Sequence, residues 1–180
     1  MLRLETDRLI LRSVEVIDAP RIRLLASDYT VAAMTLTTPH PYPDGAAEAF
    51  VAQAQEQAES GNSYTFAIIP RSEGTLVGVI GLHPTPLHHR AELGYWMGTE
   101  YRGCGYMTES VRRVIRFGFD ELELIRIYAA CFAENSASER VMQKSGMKLE
   151  GKLRNHFMRF GKFHDGLYYG LLRDEWQESP

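Results

Sequence analysis

Apolar residues recur along this chain with two different periods. Between residues 107 and 122 they fall at Met107, Val111, Val114, Ile115, Gly118, Phe119 and Leu122. Glu109, Arg112, Arg113, Arg116 and Asp120 fill the intervening positions. A three-and-four spacing of this kind draws one apolar stripe along a helix and leaves the charges on its wet face. Elsewhere the pattern is that of strands: short β-branched and aromatic runs at 8–12, 64–69, 75–82, 91–97, 125–132, 147–157 and 163–172. Three further helices are expected. One starts at Asp18, a capping carboxylate with Pro20 in the first turn, and runs to about residue 27. A second, rich in alanine and glutamine, covers 46–60, capped by Asp44 and stopped by Gly61. A third is short, 136–144, and ends before Gly146.

The links set the topology. Residues 64–69, 75–82 and 91–97 are joined by a turn at 71–74 and a proline-containing loop at 83–89, so they read as an antiparallel meander. The strands at 91–97 and 125–132 are joined through a helix and are therefore expected to be parallel. The last two strands close as a hairpin around Phe160-Gly161-Lys162, and Pro39-His40-Pro41-Tyr42-Pro43 is an irregular loop. The order β-α-α-β-β-β-α-β-α-β-β predicts an α/β chain of the α+β kind. Its sheet is mixed, mostly antiparallel and twisted, with helices on both faces, and it is not doubly wound. No repeat or linker divides the chain, so residues 1–180 are expected to form a single domain.

Composition narrows the function. A net charge of −3 over 180 residues supplies no basic field for nucleic acid or an anionic membrane. No run approaches the length of a membrane span, and the N-terminus does not resemble a secretion signal. Two cysteines, Cys104 and Cys131, make neither a disulfide framework nor a metal quartet and suit a reducing cytoplasm. His83, His88 and His89 lack partners at metal-ligand spacing, so no metal is expected. Oligomeric state is open, and a homodimer is compatible with the sequence.

The candidate chemistry lies at Arg102-Gly103-Cys104-Gly105-Tyr106-Met107, between the strand at 91–97 and the amphipathic helix. Two glycines at a strand-to-helix turn let backbone N–H groups approach a ligand, and the helix N-terminus favours an anion, most naturally a phosphate or pyrophosphate. A dinucleotide fingerprint would need glycine where Thr108 stands, and Glu134 lies too far along to serve as its ribose acid. A Walker loop is absent. Cys104 has no histidine partner for covalent catalysis. Arg112, Arg113 and Arg116 could meet a nucleotide 3′-phosphate, although a solvated helix face is the simpler reading.

Five segments together resemble the GNAT superfamily of acyl-CoA-dependent N-acetyltransferases, and within it the Rim-type branch that acetylates ribosomal-protein N-termini. They are Thr6-Asp7-Arg8-Leu9-Ile10-Leu11-Arg12; Ala91-Glu92-Leu93-Gly94-Tyr95-Trp96-Met97; Arg102-x-x-Gly105-x-Met107, similar to a Q/R-x-x-G-x-G/A loop; Asn135-x-x-Ser138 followed by Gly146-Met147; and Gly161-Lys162-Phe163-x-Asp165 with Trp176. They occur in the family's order over nearly the whole chain. Met107 departs from the loop pattern, and the helical period points its side chain into the core.

The resemblance implies direct acetyl transfer from acetyl-CoA to an amine acceptor: a protein N-terminus, a polyamine, an aminoglycoside or a small metabolite. It implies that the parallel strands splay apart and that pantetheine pairs with the backbone they expose. It places the pyrophosphate on Arg102, Gly103, Cys104, Gly105, Tyr106, Met107 and Thr108. It places pantetheine along Tyr95, Trp96 and Met97, where a backbone N–H would polarise the thioester carbonyl, and beside Asn135. Glu92 is the candidate general base, because an amine attacks only when neutral. Ser138, in the first turn of a helix capped by Asn135 or by a Ser136-x-x-Glu139 box, is the candidate acid for the leaving thiolate. The acceptor pocket would draw on the 39–43 loop, the second helix and the closing hairpin with His156, His164 and Asp165. A noncatalytic acyl-CoA-binding or regulatory module is the alternative reading.

Overall fold

The computed structural model describes residues 2–177. Its elements, in chain order, are β1 (Arg3–Glu5), β2 (Leu9–Ser13), α1 (Ala19–Ala26), α2 (Tyr29–Ala32), α3 (Ala46–Glu59), β3 (Tyr64–Pro70), β4 (Gly78–Thr85), β5 (Arg90–Met97), α4 (Tyr106–Asp120), β6 (Arg126–Phe132), α5 (Ser136–Lys144), β7 (Lys148–Arg159) and β8 (Lys162–Leu172). All eight strands join one sheet in the order β1-β2-β3-β4-β5-β6-β8-β7. Every pairing is antiparallel except β5–β6.

Two apolar clusters cover the two faces. On one, α4 lays Met107, Val111, Val114, Ile115 and Phe119 against Leu9, Leu11, Phe66, Ile80, Leu82, Leu93 and Ile127. The predicted stripe is thus the buried one. Gly118 belongs to it for a steric reason, since a Cβ there would lie 2.8 Å from Ile127 Cδ1. On the other face, α1 and α3 bury Ile22, Leu25, Ala47, Val51 and Ala54 against Ala67, Ile69 and Val79. Burial alternates along β5: Ala91, Leu93 and Met97 join the α4 cluster, and Trp96 packs against the α1/α3 cluster.

Several local expectations are corrected. Asp18 stands at the N-cap of α1, but its side chain does not cap it. The buried carboxylate instead accepts from Arg12 Nη1 and Nη2 at 2.7 and 2.8 Å and from the Glu15 N–H at 2.8 Å. Asp44 does not cap α3: Gly45 takes that place with φ +77°, and Asp44 pairs with Arg23. The strand expected at 75–82 begins at Gly78 and continues to Thr85, through residues read as a loop. Asn135, not a Ser136-x-x-Glu139 box, caps α5: its Oδ1 accepts from the Ser138 N–H at 3.1 Å, while Glu139 accepts from the Tyr169 hydroxyl at 2.8 Å. β1 and α2, three and four residues long, are too short for periodicity to reveal.

Candidate active site

Strands β5 and β6 part company early. They pair only at Arg90↔Arg126, Ala91↔Ile127 and Glu92↔Tyr128. Beyond Glu92, β5 stays paired with β4 as far as Met97, and β6 stays paired with β8 as far as Phe132. Residues 93–97 and 129–132 therefore face one another across a widening V. Ladder N–H and C=O groups turned into that V need a partner. An extended ligand carrying amides can supply one.

The glycine turn stands after the open end of β5. Gly103 and Gly105 have φ of +83° and +81°, which a Cβ would strain, and no side chain caps α4. The first-turn N–H groups of α4, at Tyr106, Met107 and Thr108, thus begin a helix without an intrahelical acceptor, the usual setting for an anion. Arg8 braces the turn from the start of β2. Its Nη1 donates to Cys104 O at 3.1 Å, its Nη2 lies 2.6 Å from Glu109 Oε2, and its guanidinium lies 5.2 Å from the centre of the Tyr106 ring. Cys104 is exposed, and the Met107 side chain is buried in the core, away from the turn. Arg102 Nε points back to Met97 O at 3.4 Å.

The two faces of the V carry different chemistry. On the α4/α5 face the Tyr95 hydroxyl lies 2.9 Å from Ser138 Oγ and 3.2 Å from Ser138 O. Burial drives the Tyr95 phenol well above its ordinary pKa, a shift that the Ser138 hydrogen bond opposes. Burial likewise pushes the Cys131 thiol up to about 11, again against a hydrogen bond from Ser138. Ser138 thus bonds a phenol that stays protonated at neutral pH.

On the opposite face Glu92 is exposed, directly across from His83 on β4 and Tyr128 on β6. The Tyr128 hydroxyl donates to Glu92 Oε2 at 3.4 Å. Desolvation raises the Tyr128 and Tyr168 phenol pKa values, and the Glu92 charge adds to both shifts. Desolvation lowers that of His83, which Glu92 partly offsets; Ser63 Oγ lies 2.8 Å from His83 Nδ1. Tyr168 in turn bonds His156 Nε2 at 2.7 Å. Trp96 is on this face but packs under α1 and α3.

The closing hairpin completes that side. Between Leu153↔Gly166 and Phe157↔His164, residues 154–156 of β7 face the single residue Asp165. Asp165 holds this bulge through the Asn155 N–H at 2.9 Å and Lys152 Nζ at 3.1 Å. Residues Lys152, Leu153, Arg154, Asn155 and His156 line an open cleft of about 640 Å³. His164 stacks on Phe132, centroids 4.7 Å apart, and bonds Glu134.

The structure therefore brings together Glu92, Tyr95, Ser138 and Asn135 around one V, with the 102–108 turn nearby. It does not leave the α4 arginines free: Arg112 donates to Lys144 O at 2.6 Å, Arg113 to Glu5 O at 3.3 Å, and Arg116 faces Asp120 at 3.5 Å. Sequence reading missed the Tyr95 side chain, Tyr128, Tyr168 and the Arg8–Glu109 brace. Strand alternation could have signalled Tyr95, which must face opposite to Glu92. Nothing local signals the others. Among the described residues no group of three His, Cys, Asp or Glu could hold a metal ion, and no helix is long and apolar enough to cross a membrane.

Comparison with known proteins gives a consistent picture. A family model described as an acetyltransferase (GNAT) domain matches residues 8–148. The uncharacterized N-acetyltransferase YnaD of Bacillus subtilis (strain 168) is 31% identical over 175 residues, covering 97% of this chain and 99% of its own. The ribosomal protein uS5-alanine N-acetyltransferase of Escherichia coli (strain K12) is 26% identical over 184 residues, covering 97% and 92%. Among solved structures, the RimL ribosomal L7/L12 alpha-N-protein acetyltransferase in complex with coenzyme A superposes with a TM-score of 0.89 at 18% identity, over 97% of this chain and 99% of that one.

Proposed function

The chain belongs to the GNAT acetyltransferase family, and from that premise we propose that it moves an acetyl group from acetyl-CoA directly to a primary amine within a ternary complex. The observation that carries this is the V itself. It is an opening between parallel strands, with an uncapped helix N-terminus nearby, Glu92 on one face and the Tyr95–Ser138 pair on the other. The coenzyme A complex of the RimL neighbour supports the choice of donor. The uS5-alanine relative supports an N-terminal amine as acceptor, with small-molecule amines in the same chemical class.

The backbone N–H groups of residues 103–108 hold the pyrophosphate, with Arg102 beside them. The free edge of β5 at Tyr95, Trp96 and Met97 pairs with the pantetheine amides, and a backbone N–H there polarises the thioester carbonyl, a contribution of about 3–4 kcal/mol at comparable oxyanion sites. Asn135 orients the arm while keeping α5 capped. Glu92 takes the proton that the ammonium must lose before it attacks, directly or through one water. Ser138, held by Tyr95, relays a proton: its hydroxyl protonates the departing sulfur as it takes up the proton that the newly acylated nitrogen releases, and the first turn of α5 favours the negative charge that develops on the sulfur.

Thiol release from acetyl-CoA, followed across a panel of free-N-terminal peptides, polyamines and aminoglycosides, tests the reading. Acceptor-dependent release with a 42-Da gain on the acceptor (about the mass of one acetyl) is expected. At 100 times Kd, acetyl-CoA should also stabilise the protein by about 2.7 kcal/mol. Tight acetyl-CoA binding with no transfer to any amine would leave a binding module instead.

A further inference from the structure

Glu92 stands in an uncovered strip of the sheet. On its face α1 and α3 bury Ala67, Ile69 and Val79, and Trp96 packs against the same cluster. Strand alternation from Val79 and Trp96 puts Gly81, His83, Gly94 and Glu92 on that face too, and there His83, Glu92 and Gly94 are exposed. His83 and Glu92 are antiparallel partners, so their Cβ atoms stand about 4.5–5.5 Å apart. On the other side of Glu92 the Tyr128 hydroxyl donates to Oε2 at 3.4 Å, and the Arg90 and Arg126 guanidinium carbons each lie 5.7 Å from the centre of the Tyr128 ring. The carboxylate is tied on its β6 side, and an imidazole stands on its β4 side.

The His83 ring is seated by its neighbours. Ser63 Oγ lies 2.8 Å from Nδ1. The far edge of the ring lies over the paired glycines Gly81 and Gly94: a Cβ at Gly81 would stand 2.8 Å from Nε2 and 3.1 Å from Cε1, and one at Gly94 would stand 3.8 Å from Nε2. Any side chain at Gly81 would therefore displace the ring. Among the described residues none bonds Nε2, so that nitrogen faces the open floor beside Glu92. Glu92 is the charge that reaches His83 from β5. Ser63 and Thr65, on the β3 side, do not titrate, and α3 reaches this end with Gln57, whose carbonyl accepts from the Ser63 N–H at 3.2 Å. Tyr128 and Tyr168, from β6 and β8, adjoin Glu92 with phenols that desolvation keeps protonated.

Resting on the acetyl-transfer reading, we propose that His83 is the exit for the proton that Glu92 takes from the acceptor ammonium. It acts through Glu92 and does not touch the reacting atoms. An N–H of the ammonium breaks as an O–H forms on Glu92. That O–H breaks in turn as an N–H forms on His83 Nε2, directly or across one water over Gly94, and the imidazolium gives its proton to solvent. Glu92 is a carboxylate again, and the proton cannot return to the amine before it attacks. The relay uses the tautomer in which Nδ1–H donates to Ser63 Oγ and Nε2 keeps its lone pair. Desolvation lowers the His83 pKa below the ordinary 6.5, so the ring is neutral at pH 7 and releases a proton readily.

Rates of the full chain in weakly buffered solution decide it, with acetyl-CoA as donor and the hexapeptide Ala-Ser-Gly-Ser-Gly-Ala or spermidine as acceptor. His83→Ala should lower kcat/KM for the acceptor about tenfold near pH 7 while leaving the acetyl-CoA KM within about twofold. Added imidazole should restore most of that loss in proportion to its concentration, because a free base can take the proton from Glu92 but cannot repair a packing defect. With the hexapeptide the loss should shrink above about pH 8, where an α-amine arrives neutral. Gly81→Ala keeps Ser63, His83 and Glu92 but displaces the ring; it should lower the rate in the same direction and covers the case in which His83→Ala fails to fold. Nitrogen NMR of the wild type near pH 8 should find the ring proton on Nδ1. A His83→Ala loss that imidazole leaves untouched, or a ring proton on Nε2, overturns the relay. A wild type that binds acetyl-CoA but acetylates neither probe overturns the acetyl-transfer reading, and the relay with it. A wild type that transfers while the His83 and Gly81 variants keep its rate overturns the relay alone.

Discussion

The Tyr95 hydroxyl lies 2.9 Å from Ser138 Oγ, joining β5 to the first turn of α5 beside the open V. Two hydroxyls that share one bond act as a unit. Tyr95→Phe and Ser138→Ala should each lower kcat by roughly 10–10²-fold, with the double variant well short of the product. The acetyl-CoA KM should change little. Strict additivity in steady-state kinetics would show that the two hydroxyls act separately.

The two thiols should behave as opposites. Burial holds Cys131 as a thiol up to about pH 11, whereas Cys104 is exposed in the glycine turn. Iodoacetamide at about pH 8 should label Cys104 and spare Cys131 until the protein unfolds. Acetyl-CoA should slow labelling at Cys104. Equal labelling of both, read by mass spectrometry, would contradict the burial of Cys131, and labelling of Cys104 indifferent to acetyl-CoA would remove the turn from the donor site.

Alanine at the turn glycines should weaken donor binding. Both need the left-handed region, which costs a Cβ-bearing residue about 1–2 kcal/mol. A Cβ at Gly103 meets open space, but at Gly105 it lies 3.3 Å from Arg8 Nη2. Gly105→Ala should therefore lose more acetyl-CoA affinity than Gly103→Ala, because it also disturbs the brace. Calorimetric titration orders the two, and the reverse order would count against the Arg8 contact.

His83 gives the candidate site a pH signature. Desolvation lowers its pKa below the ordinary 6.5. The unfolded chain then binds a proton more readily than the folded one. The stability His83 contributes is complete above pH 6.5 and declines as pH falls from there through its folded pKa. His83→Gln should flatten the fall of Tm in that window. Glu92→Gln should move the His83 NMR titration lower still, because the Glu92 charge opposes the shift; an upward move would break the pairing of the two across β4 and β5.

Much of the frame can be read from the pattern of apolar residues. The α4 stripe, the meander, the parallel crossover and the closing hairpin all follow from period and linker length. Caps were harder: Asp18 and Asp44 look like N-caps, yet each carboxylate finds an arginine, Arg12 and Arg23, whose pull local sequence cannot weigh. The site divides the same way. Glu92, Ser138, Asn135 and the glycine turn stand in recognisable runs. Arg8 meets Glu109, Tyr95 meets Ser138 and Tyr128 meets Glu92 only because the sheet brings distant segments together, and no spacing along the chain encodes such meetings.

The central claim is that Glu92, at the fork of the V, activates the attacking amine. Glu92→Gln keeps the shape of the side chain and removes its basicity, so kcat/KM for the amine measured beside acetyl-CoA affinity tests it most directly. The expected result is a loss of roughly 10²–10⁴ in rate with acetyl-CoA binding unchanged. A Glu92→Gln enzyme that acetylates its acceptor at the wild-type rate would contradict the account.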